Sequence, residues 1–253
     1  MATNDRKVNF YDDKGHDYRD FWQERDYEHN SEMIAIDKLL KGRHFNLTMD
    51  YGGGYGRVTP KLLEYSDRVI LVDPSTKQLK MAKEKLKGMD VDYELQEKAD
   101  SVPAKDNSLD LLVMIRVSHH LPDPKPVFTE IYRSLKPKGM GLIEIANEAH
   151  FINRLRYLKK LSGVPKEPVP IGEKANGQGD ETPFVNHNPA TIKSTLESLG
   201  FELVDKLSVS NLRSGALKKH LPLKSMLFLE RSMQRPLASA NFGPSVFMLI
   251  RKV

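Results

Sequence analysis

The chain has 253 residues, of which 39% are hydrophobic and 29% are charged, and its formal net charge at pH 7 is +5. These values are ordinary for a soluble globular protein and suit a single α/β domain with insertions. The absence of cysteine excludes disulfides, thiolate metal sites and cysteine nucleophiles.

The ends and apolar runs of the chain bear on its location. The N-terminal stretch (MATNDRKVNF) is polar, which predicts no secretory signal. The longest apolar runs, such as Leu111–Ile115, are far too short to span a bilayer. We therefore expect a cytoplasmic protein without a transmembrane segment. The mildly basic charge favours a nucleic-acid partner only weakly, because many soluble enzymes are equally basic.

Strands and helices are predicted to alternate along most of the chain. The first 45 residues are predicted to be helical, and Ile34, Ile36, Leu39 and Leu40 mark the apolar side of their last helix. The predicted strands cover residues 46–50, 68–72, 91–96, 109–115, 140–145, 201–209 and 246–252. The predicted helices between them cover residues 55–65, 75–87, 123–136 and 188–199.

Local signals mark several helix ends. Ser75 and Gln78 have the spacing of a capping box, and Pro60 is tolerated only in the first turn of its helix. Asn188 and Gly200 bracket a later helix as its N-cap and C-terminal stop. The alternation predicts a doubly wound, mostly parallel sheet. A basic insertion separates the last two strands, which permits an antiparallel edge.

A glycine loop carries the strongest functional signal. The run Asp50–Gly56 (DYGGGYG) follows a strand and precedes a helix, and Asp73 ends the next strand. Residues without a Cβ allow the backbone to approach a cofactor closely, and the second carboxylate can accept hydrogen bonds from both hydroxyls of a ribose. The spacing is G-x-G-x-G, and Arg57 occupies the third glycine position of the dinucleotide fingerprint. This spacing disfavours a nicotinamide dehydrogenase.

Further motifs extend this pattern over residues 46–145, with a weaker match as far as residue 209. They are Leu71–Ser75, Ala99–Pro103, Asp106–Asp110, Ser118–Leu121 and Arg133–Gly139. Together with Asp50–Gly56 they resemble the motifs of the class I S-adenosylmethionine-dependent methyltransferases, in the broad subgroup that includes the quinone-biosynthesis methyltransferases. The resemblance implies a Rossmann-like fold with a seven-stranded sheet and an antiparallel last strand.

The resemblance also implies how the cofactor is held. The three loop glycines would pass beneath the methionine portion, Asp50 would hold its ammonium group, and Asp73 would bind the ribose. Ala99 would offer backbone contacts to the adenine, and Asp100 would accept from its amino group. The full set implied for the cofactor is Asp50, Gly52, Gly54, Gly56, Asp73, Pro74, Ala99, Asp100 and Arg116.

The N-terminal lead-in adds further candidates. It carries an aromatic and basic cluster made up of Tyr11, Tyr18, Trp22, Arg25 and Tyr27. In relatives such a segment folds over the cofactor, which makes Tyr18 a contact and pairs Arg25 with the methionine carboxylate. The alternative is an aromatic face packed on the rim of the sheet.

Two adjacent histidines, His119 and His120, stand where an acceptor would meet the methyl group. An imidazole could remove a proton from the acceptor, since its ordinary pKa lies near 6.5. The alternative is a supporting role in the loop. Adjacent residues on a turn are expected to point apart, so at most one should face the acceptor. The eight histidines lack the spacing of a metal site, and we expect no metal.

The sequence says less about the acceptor than about the cofactor. Residues 151–166 hold five basic residues and no acid, and residues 212–236 hold six basic residues and one acid. These segments also carry apolar residues at helical spacing. Our sharper hypothesis is an acceptor that joins an anionic group to an apolar, lipid-like body, and the alternative is a solvated basic surface. Enzymes that methylate the amino groups of nucleobases carry an Asn/Asp-Pro-Pro-aromatic run after the fourth strand. Arg116–His120 stand at that place in this chain, which argues against that reaction.

The sequence therefore predicts a helical cover over residues 1–45 and a methyltransferase domain over residues 46–253, with acceptor-side insertions at about 150–187 and 211–244. Methyl transfer from S-adenosylmethionine would leave S-adenosylhomocysteine and act on a small or medium-sized acceptor through O, N or C. The alternatives are an RNA-directed methyltransferase and a non-catalytic cofactor-binding module. We expect no nucleic-acid partner and a monomer or homodimer.

Overall fold

The computed structural model describes residues 19–98, 100–171 and 184–253. The strands in these residues are β1 Phe45–Tyr51, β2 Ser66–Asp73, β3 Val91–Leu95, β4 Leu109–Met114, β5 Leu135–Ala146, β6 Val169–Pro170, β7 Val185–Asn186, β8 Phe201–Val209 and β9 Ser245–Lys252. The helices are α1 Asp26–Leu40, α2 Thr59–Leu63, α3 Thr76–Lys85, α4 Lys125–Ser134, α5 Phe151–Lys159, α6 Pro189–Ser198, α7 Gly215–His220 and α8 Leu223–Met233.

Seven strands form one sheet in the order β3-β2-β1-β4-β5-β9-β8. The pairs from β3 to β5 are parallel, whereas β9 is antiparallel to both β5 and β8. This confirms the predicted mostly parallel, seven-stranded sheet with an antiparallel last strand. The edge itself is β8, and β9 lies one position inside. β9 is buried at all but one residue, which suits an interior strand, while β8 keeps residues 202–206 partly accessible.

Helices cover both faces of the sheet, as the doubly wound prediction requires. Along β4, Leu112 and Met114 join the core cluster under α4 and α6, whereas Leu111 and Val113 join the cluster under α1 and α2. This alternation follows from the two-residue period of a strand. The carboxyl ends of the parallel strands therefore lie along one edge, where the loops after β1, β2, β4 and β5 meet.

The predicted N-caps are confirmed, but the capping box is only half formed, because the Ser75 N–H donates to Asp73 and not to the Gln78 side chain. The Ser75 hydroxyl accepts a hydrogen bond from the Gln78 backbone N–H at 3.1 Å, and the Asn188 side chain accepts one from Ala190 at 3.0 Å. Pro60 lies in the first turn of α2. Helix α2 is shorter than predicted, because the positive φ angles of Gly54 and Gly56 keep the loop out of helical conformation.

β5 is longer than predicted, because its pairing with β4 resumes beyond the Pro137–Gly139 turn after a register shift. No helix in the three described stretches is long and apolar enough to cross a membrane. The division of the chain at residue 45 stays a prediction.

Candidate active site

The three glycines of the loop after β1 have two different roles, packing within the protein and leaving space for a ligand. Gly52, Gly54 and Gly56 all have positive φ angles, of 73°, 56° and 75°. A Cβ on Gly52 would lie 2.3 Å from Val117 Cγ2, and one on Gly56 would lie 2.6 Å from Leu86 Cδ1. The protein's own packing therefore requires these two glycines.

Gly54 is different, because its open side faces a polar recess instead of packed side chains. The nearest atoms to a Cβ built on Gly54 are Gln78 Oε1 at 3.8 Å and Asp73 Oδ2 at 3.9 Å. Asp73 is the last residue of β2, and Gln78 lies in the first turn of α3. The space in front of Gly54 is thus bounded by a carboxylate and an amide, a suitable pair for ligand hydroxyls.

Asp73 at the end of β2 is held in one orientation. Its Oδ2 accepts a hydrogen bond from the Gly54 N–H at 2.8 Å, and its Oδ1 accepts one from the Ser75 N–H at 2.9 Å. Pro74 between them is half-buried. The carboxylate is thereby fixed before any ligand arrives, which reduces the ordering cost of binding.

Sequence reasoning placed Gln78 in a helix cap and missed its position in the site. Its side chain is buried, and neither Oε1 nor Nε2 has a hydrogen-bond partner among the described residues. A buried amide without partners costs about 1–3 kcal/mol. A ribose or adenine group beside Asp73 would supply partners, so the residues present fit the cofactor that the motifs imply.

Asp50 lies buried at the end of β1. Its Oδ2 accepts a hydrogen bond from the Thr59 hydroxyl at 2.7 Å. Burial raises the pKa of Asp50 to about 6, against the opposing influence of the Thr59 hydrogen bond and the nearby Arg57 and Lys85 charges. A cation beside this carboxylate would lower its pKa again.

The adenine side of the site is only partly described. Ala99 and Tyr18 lie outside the described residues, as does Tyr11. Asp100 is exposed in the turn that follows β3. Their contacts with a cofactor stay predictions.

A buried ion network joins the N-terminal helix to the loop after β4. The Glu32 carboxylate in α1 is fully buried and pairs with Arg57 at 2.6 Å and with Arg116 at 2.6 Å. These two guanidinium groups hold the pKa of Glu32 below its usual value against the effect of burial. Arg116 has a φ of 63°, and its N–H donates to the buried Glu144 at 3.1 Å. Sequence reasoning missed Glu32 because a lone acid in a helix looks solvated.

The aromatic lead-in packs against this network. Trp22 is buried, and the Arg57 guanidinium lies 3.7 Å from the centre of its ring. Arg25 stacks on Phe21 at 3.7 Å. Tyr27 is buried and donates to Glu230 at 2.6 Å. Trp22 and Arg116 thus lie together, with the Arg116 guanidinium 5.4 Å from the centre of the Trp22 ring. The cofactor contacts predicted for Arg25 and Arg116 stay predictions.

The two histidines share one side of the Ser118–His120 turn. Their ring centres are 4.2 Å apart, and both rings contact Phe184 edge-on, at 5.0 Å for His119 and 4.9 Å for His120. The expectation that adjacent side chains point apart is wrong here, because both pack on one aromatic ring. Burial and the neighbouring His120 lower the pKa of His119 well below its ordinary value, so this imidazole is neutral at pH 7.

A recess of about 260 Å³ lies beyond the carboxyl end of β5. Glu148 accepts hydrogen bonds there from the Tyr157 hydroxyl at 2.6 Å and from Asn186 at 3.0 Å. The Glu148 N–H donates to the carbonyl of His187, whose ring contacts the Ser118 carbonyl at 3.0 Å, so the recess adjoins the histidine turn. The lining residues are Glu148, Asn153, Arg156, Tyr157, Lys160, Val169, Pro170, Ile171 and Asn186.

The two basic segments differ in how their charges are used. In the second segment Lys218 and Arg213 approach the buried Glu28 at 2.7 and 3.4 Å, and Arg235 pairs with Asp205 at 2.7 Å. These charges are largely neutralised within the protein. In the first segment the basic side chains form no ion pair with a carboxylate of the described residues. The other three basic residues of the second segment, Lys219, Lys224 and Arg231, also form no ion pair with a carboxylate of the described residues, so both segments keep unpaired positive charge.

The comparisons with known proteins agree with this geometry. Residues 49–143 match the family described as Methyltransferase domain. The chain is 28% identical over 212 residues to the ubiquinone/menaquinone biosynthesis C-methyltransferase UbiE of Pseudoalteromonas translucida, covering 76% of this chain and 78% of the relative. It is also 28% identical to the demethylmenaquinone methyltransferase of Lactobacillus johnsonii, over 75% of this chain and 80% of the relative.

Solved structures show the same fold. A putative S-adenosylmethionine-dependent methyltransferase from Listeria monocytogenes matches with a TM-score of 0.61 at 16% identity, over 90% of this chain and 99% of the other. A second such enzyme, from Mesorhizobium loti, matches with a TM-score of 0.61 at 14% identity, over 88% and 98% of the two chains. The motifs, the strand order and these relatives lead to one conclusion: the chain belongs to the class I S-adenosylmethionine-dependent methyltransferases and is a methyl-transferring enzyme.

Proposed function

We propose that the enzyme methylates a small hydroxylated aromatic acceptor that joins a phenolate to an apolar body. The observation that carries this proposal is the recess beside the histidine turn. Arg156 and Lys160 contribute positive charge to it, and Val169 and Ile171 contribute apolar wall. Two relatives are named as a C-methyltransferase of ubiquinone/menaquinone biosynthesis and a demethylmenaquinone methyltransferase, and the reduced form of a quinone is a hydroxylated aromatic compound of this class.

For the cofactor we propose that Asp73 and Gln78 hold the ribose in front of Gly54, with Pro74 closing that side. Asp50 would pair with the ammonium group, and the loop glycines would lie beneath the methionine portion. Arg25, Arg116 and Tyr18 are proposed for the carboxylate side, and Ala99 and Asp100 for the adenine. S-adenosylmethionine supplies an electrophilic methyl group there.

The chain's own residues would then orient the acceptor and accept its proton. His119, whose pKa is lowered by burial and by the neighbouring His120, is neutral and can take the proton that the acceptor loses, and His120 beside it is the second candidate for this role. The two cations of the recess outnumber its one carboxylate, Glu148, and would favour the phenolate, which makes the adjacent ring carbon or the oxygen a better nucleophile. Alignment of the reactants and exclusion of water supply the remaining catalysis.

An RNA acceptor is less well supported. It needs a continuous basic track with aromatic platforms. The charges of Arg213, Lys218 and Arg235 are committed to internal carboxylates instead.

The test uses labelled S-adenosylmethionine and a matched pair of acceptors, a short-chain prenylated naphthohydroquinone and the same compound without its hydroxyls. We expect methylation of the hydroquinone alone. Arg156→Gln and Lys160→Gln should each raise the acceptor KM about tenfold, which corresponds to about 1.4 kcal/mol. The affinity for S-adenosylhomocysteine should stay within twofold. Lys219→Gln, in the other basic segment, is the matched control.

Failure to methylate either compound, together with transfer to an RNA oligonucleotide, would overturn the proposal. An equal rise in KM for Lys219→Gln would show that general charge, and not the recess, governs acceptor binding.

A further inference from the structure

Helix α5 presents its apolar side to solvent and its polar side to the protein. On the inward side Asn153 is buried and Tyr157 is half-buried. At 100° per residue, the outward direction is centred near Phe151 and Leu155. Surface helices of globular proteins normally have the opposite arrangement. The outward residues, which we call the apolar face of α5, are Phe151, Ile152, Leu155 and Leu158.

The exposure of this face is large. Its side chains are between 43% and 68% accessible, and Leu161, just beyond the helix, is 94% accessible. Phe151 has one aromatic neighbour, Phe242, stacked at 4.9 Å. A contiguous apolar face of this kind indicates an interaction surface.

Positive charge borders the apolar face. At 100° per residue Arg154 lies on one flank, where it also donates to the Ala240 carbonyl. Lys159 lies between Leu155 and Ile152. Residues 151–166 contain no acid. Neither Arg154 nor Lys159 forms an ion pair with a carboxylate among the described residues. An apolar strip bordered by cations is complementary to a bilayer surface rich in anionic lipid.

The sequence just after Ile171 offers no large apolar side chain to cover this face. Residues 172–183 (GEKANGQGDETP) contain no large apolar residue. We propose that α5 docks the enzyme on anionic membrane surfaces, with its apolar face among the acyl chains and Arg154 and Lys159 at the level of the phosphates. Docking places the recess, which contacts the other side of α5, next to the bilayer. The docking does not depend on the identity of the acceptor.

The test measures binding to vesicles without any acceptor. The full chain should bind vesicles of equal parts phosphatidylcholine and phosphatidylglycerol, and bind phosphatidylcholine vesicles at least tenfold more weakly. Leu155→Gln and Lys159→Glu should each reduce binding to the anionic vesicles about tenfold. Met89→Gln and Lys87→Glu, exposed residues in the turn before β3, are matched controls and should bind as the wild type does.

A fluorescent reporter locates the contact. The chain has no cysteine, so Leu158→Cys and Met89→Cys each carry a single thiol for an environment-sensitive dye. We expect a blue shift at residue 158 alone, and only with anionic vesicles.

Three results would overturn the proposal. Equal binding to both vesicle types would remove the role of charge. A Leu158→Cys thiol that reacts slowly with maleimide before vesicles are added would show that protein already covers the face. A dimer in light scattering that Leu155→Gln dissociates would assign the face to a second copy of the chain. None of these results bears on methyl transfer in solution, so the proposed function is tested separately.

Discussion

Gly52 packs against Val117, whereas Gly54 faces open space beside Asp73. Adding one methyl group at each position should therefore test packing and cofactor binding separately. Gly54→Ala adds a Cβ with no protein atom closer than 3.8 Å, so its cost to the ligand-free protein is the left-handed φ of 56°. That strain amounts to about 1 kcal/mol. We expect the melting temperature to fall by about 2–4 °C.

Gly52→Ala has the same kind of strain, with a φ of 73°, and adds a contact of 2.3 Å to Val117 Cγ2. Displacing a packed side chain costs about 1–3 kcal/mol more. The melting temperature should therefore fall by about 4–16 °C. Differential scanning fluorimetry without ligand measures both variants on one scale.

Gly54→Ala, the variant that loses less stability without ligand, should be the one that loses affinity for the ligand. The new methyl of Gly54→Ala fills the space between Asp73 and Gln78, so calorimetry should find S-adenosylhomocysteine bound at least tenfold more weakly, about 1.4 kcal/mol. Wild-type affinity in Gly54→Ala would refute the assignment of this space to the cofactor. Equal melting temperatures for the two variants would refute the packing argument.

Three other predictions concern buried polar groups near the site. Because burial raises the pKa of Asp50 to about 6 from 3.8, its charge costs stability above that pH, and the cost disappears as pH falls through 6 towards 4. Asp50→Asn should thus raise ligand-free stability at pH 7.5 by about 2–3 kcal/mol, with the gain shrinking at pH 4.5 in urea titrations; a gain equal at both pH values would contradict this reasoning. Glu32→Gln should cost about 3 kcal/mol by leaving two partly buried guanidinium groups without their carboxylate, whereas Glu64→Gln in an exposed pair should cost under about 0.5 kcal/mol; similar costs in urea unfolding would exclude a special role for the network around the buried Glu32. Gln78→Met should raise the ligand-free melting temperature by about 2–4 °C, since it removes an unpartnered buried amide, and should weaken S-adenosylhomocysteine binding about tenfold; unchanged binding in calorimetry would place Gln78 outside the ribose site.

Much of the fold was predictable because it depends on local patterns. The apolar run of β4, the Ser75 cap and the Asn188 cap are each legible within a few residues, and the structure confirms them. The interior position of β9 could not be predicted from the sequence. Strand order depends on which of the apolar strands is buried on both faces, and local patterns do not show this.

The candidate site was predictable only where spacing carries it. The glycines and Asp73 are set by one loop and two strand ends, so their proximity follows from the motif. Gln78, Glu32 and Glu148 are single polar residues whose importance comes from burial. Contacts between distant parts of the chain bury them, and no short pattern records such contacts.

The Glu32 network has a consequence for how the enzyme is assembled. Arg57 and Arg116, on loops that follow two different strands, share one carboxylate that α1 inserts between them. The helix therefore behaves as a tethered anionic ligand of the sheet, and a chain that began at residue 46 would leave both guanidinium groups without this counter-ion and would uncover the apolar cluster beneath α1. Such a shortened chain should regain order when a peptide of the α1 sequence is added in trans, and a peptide with Glu32→Gln should fail to restore it.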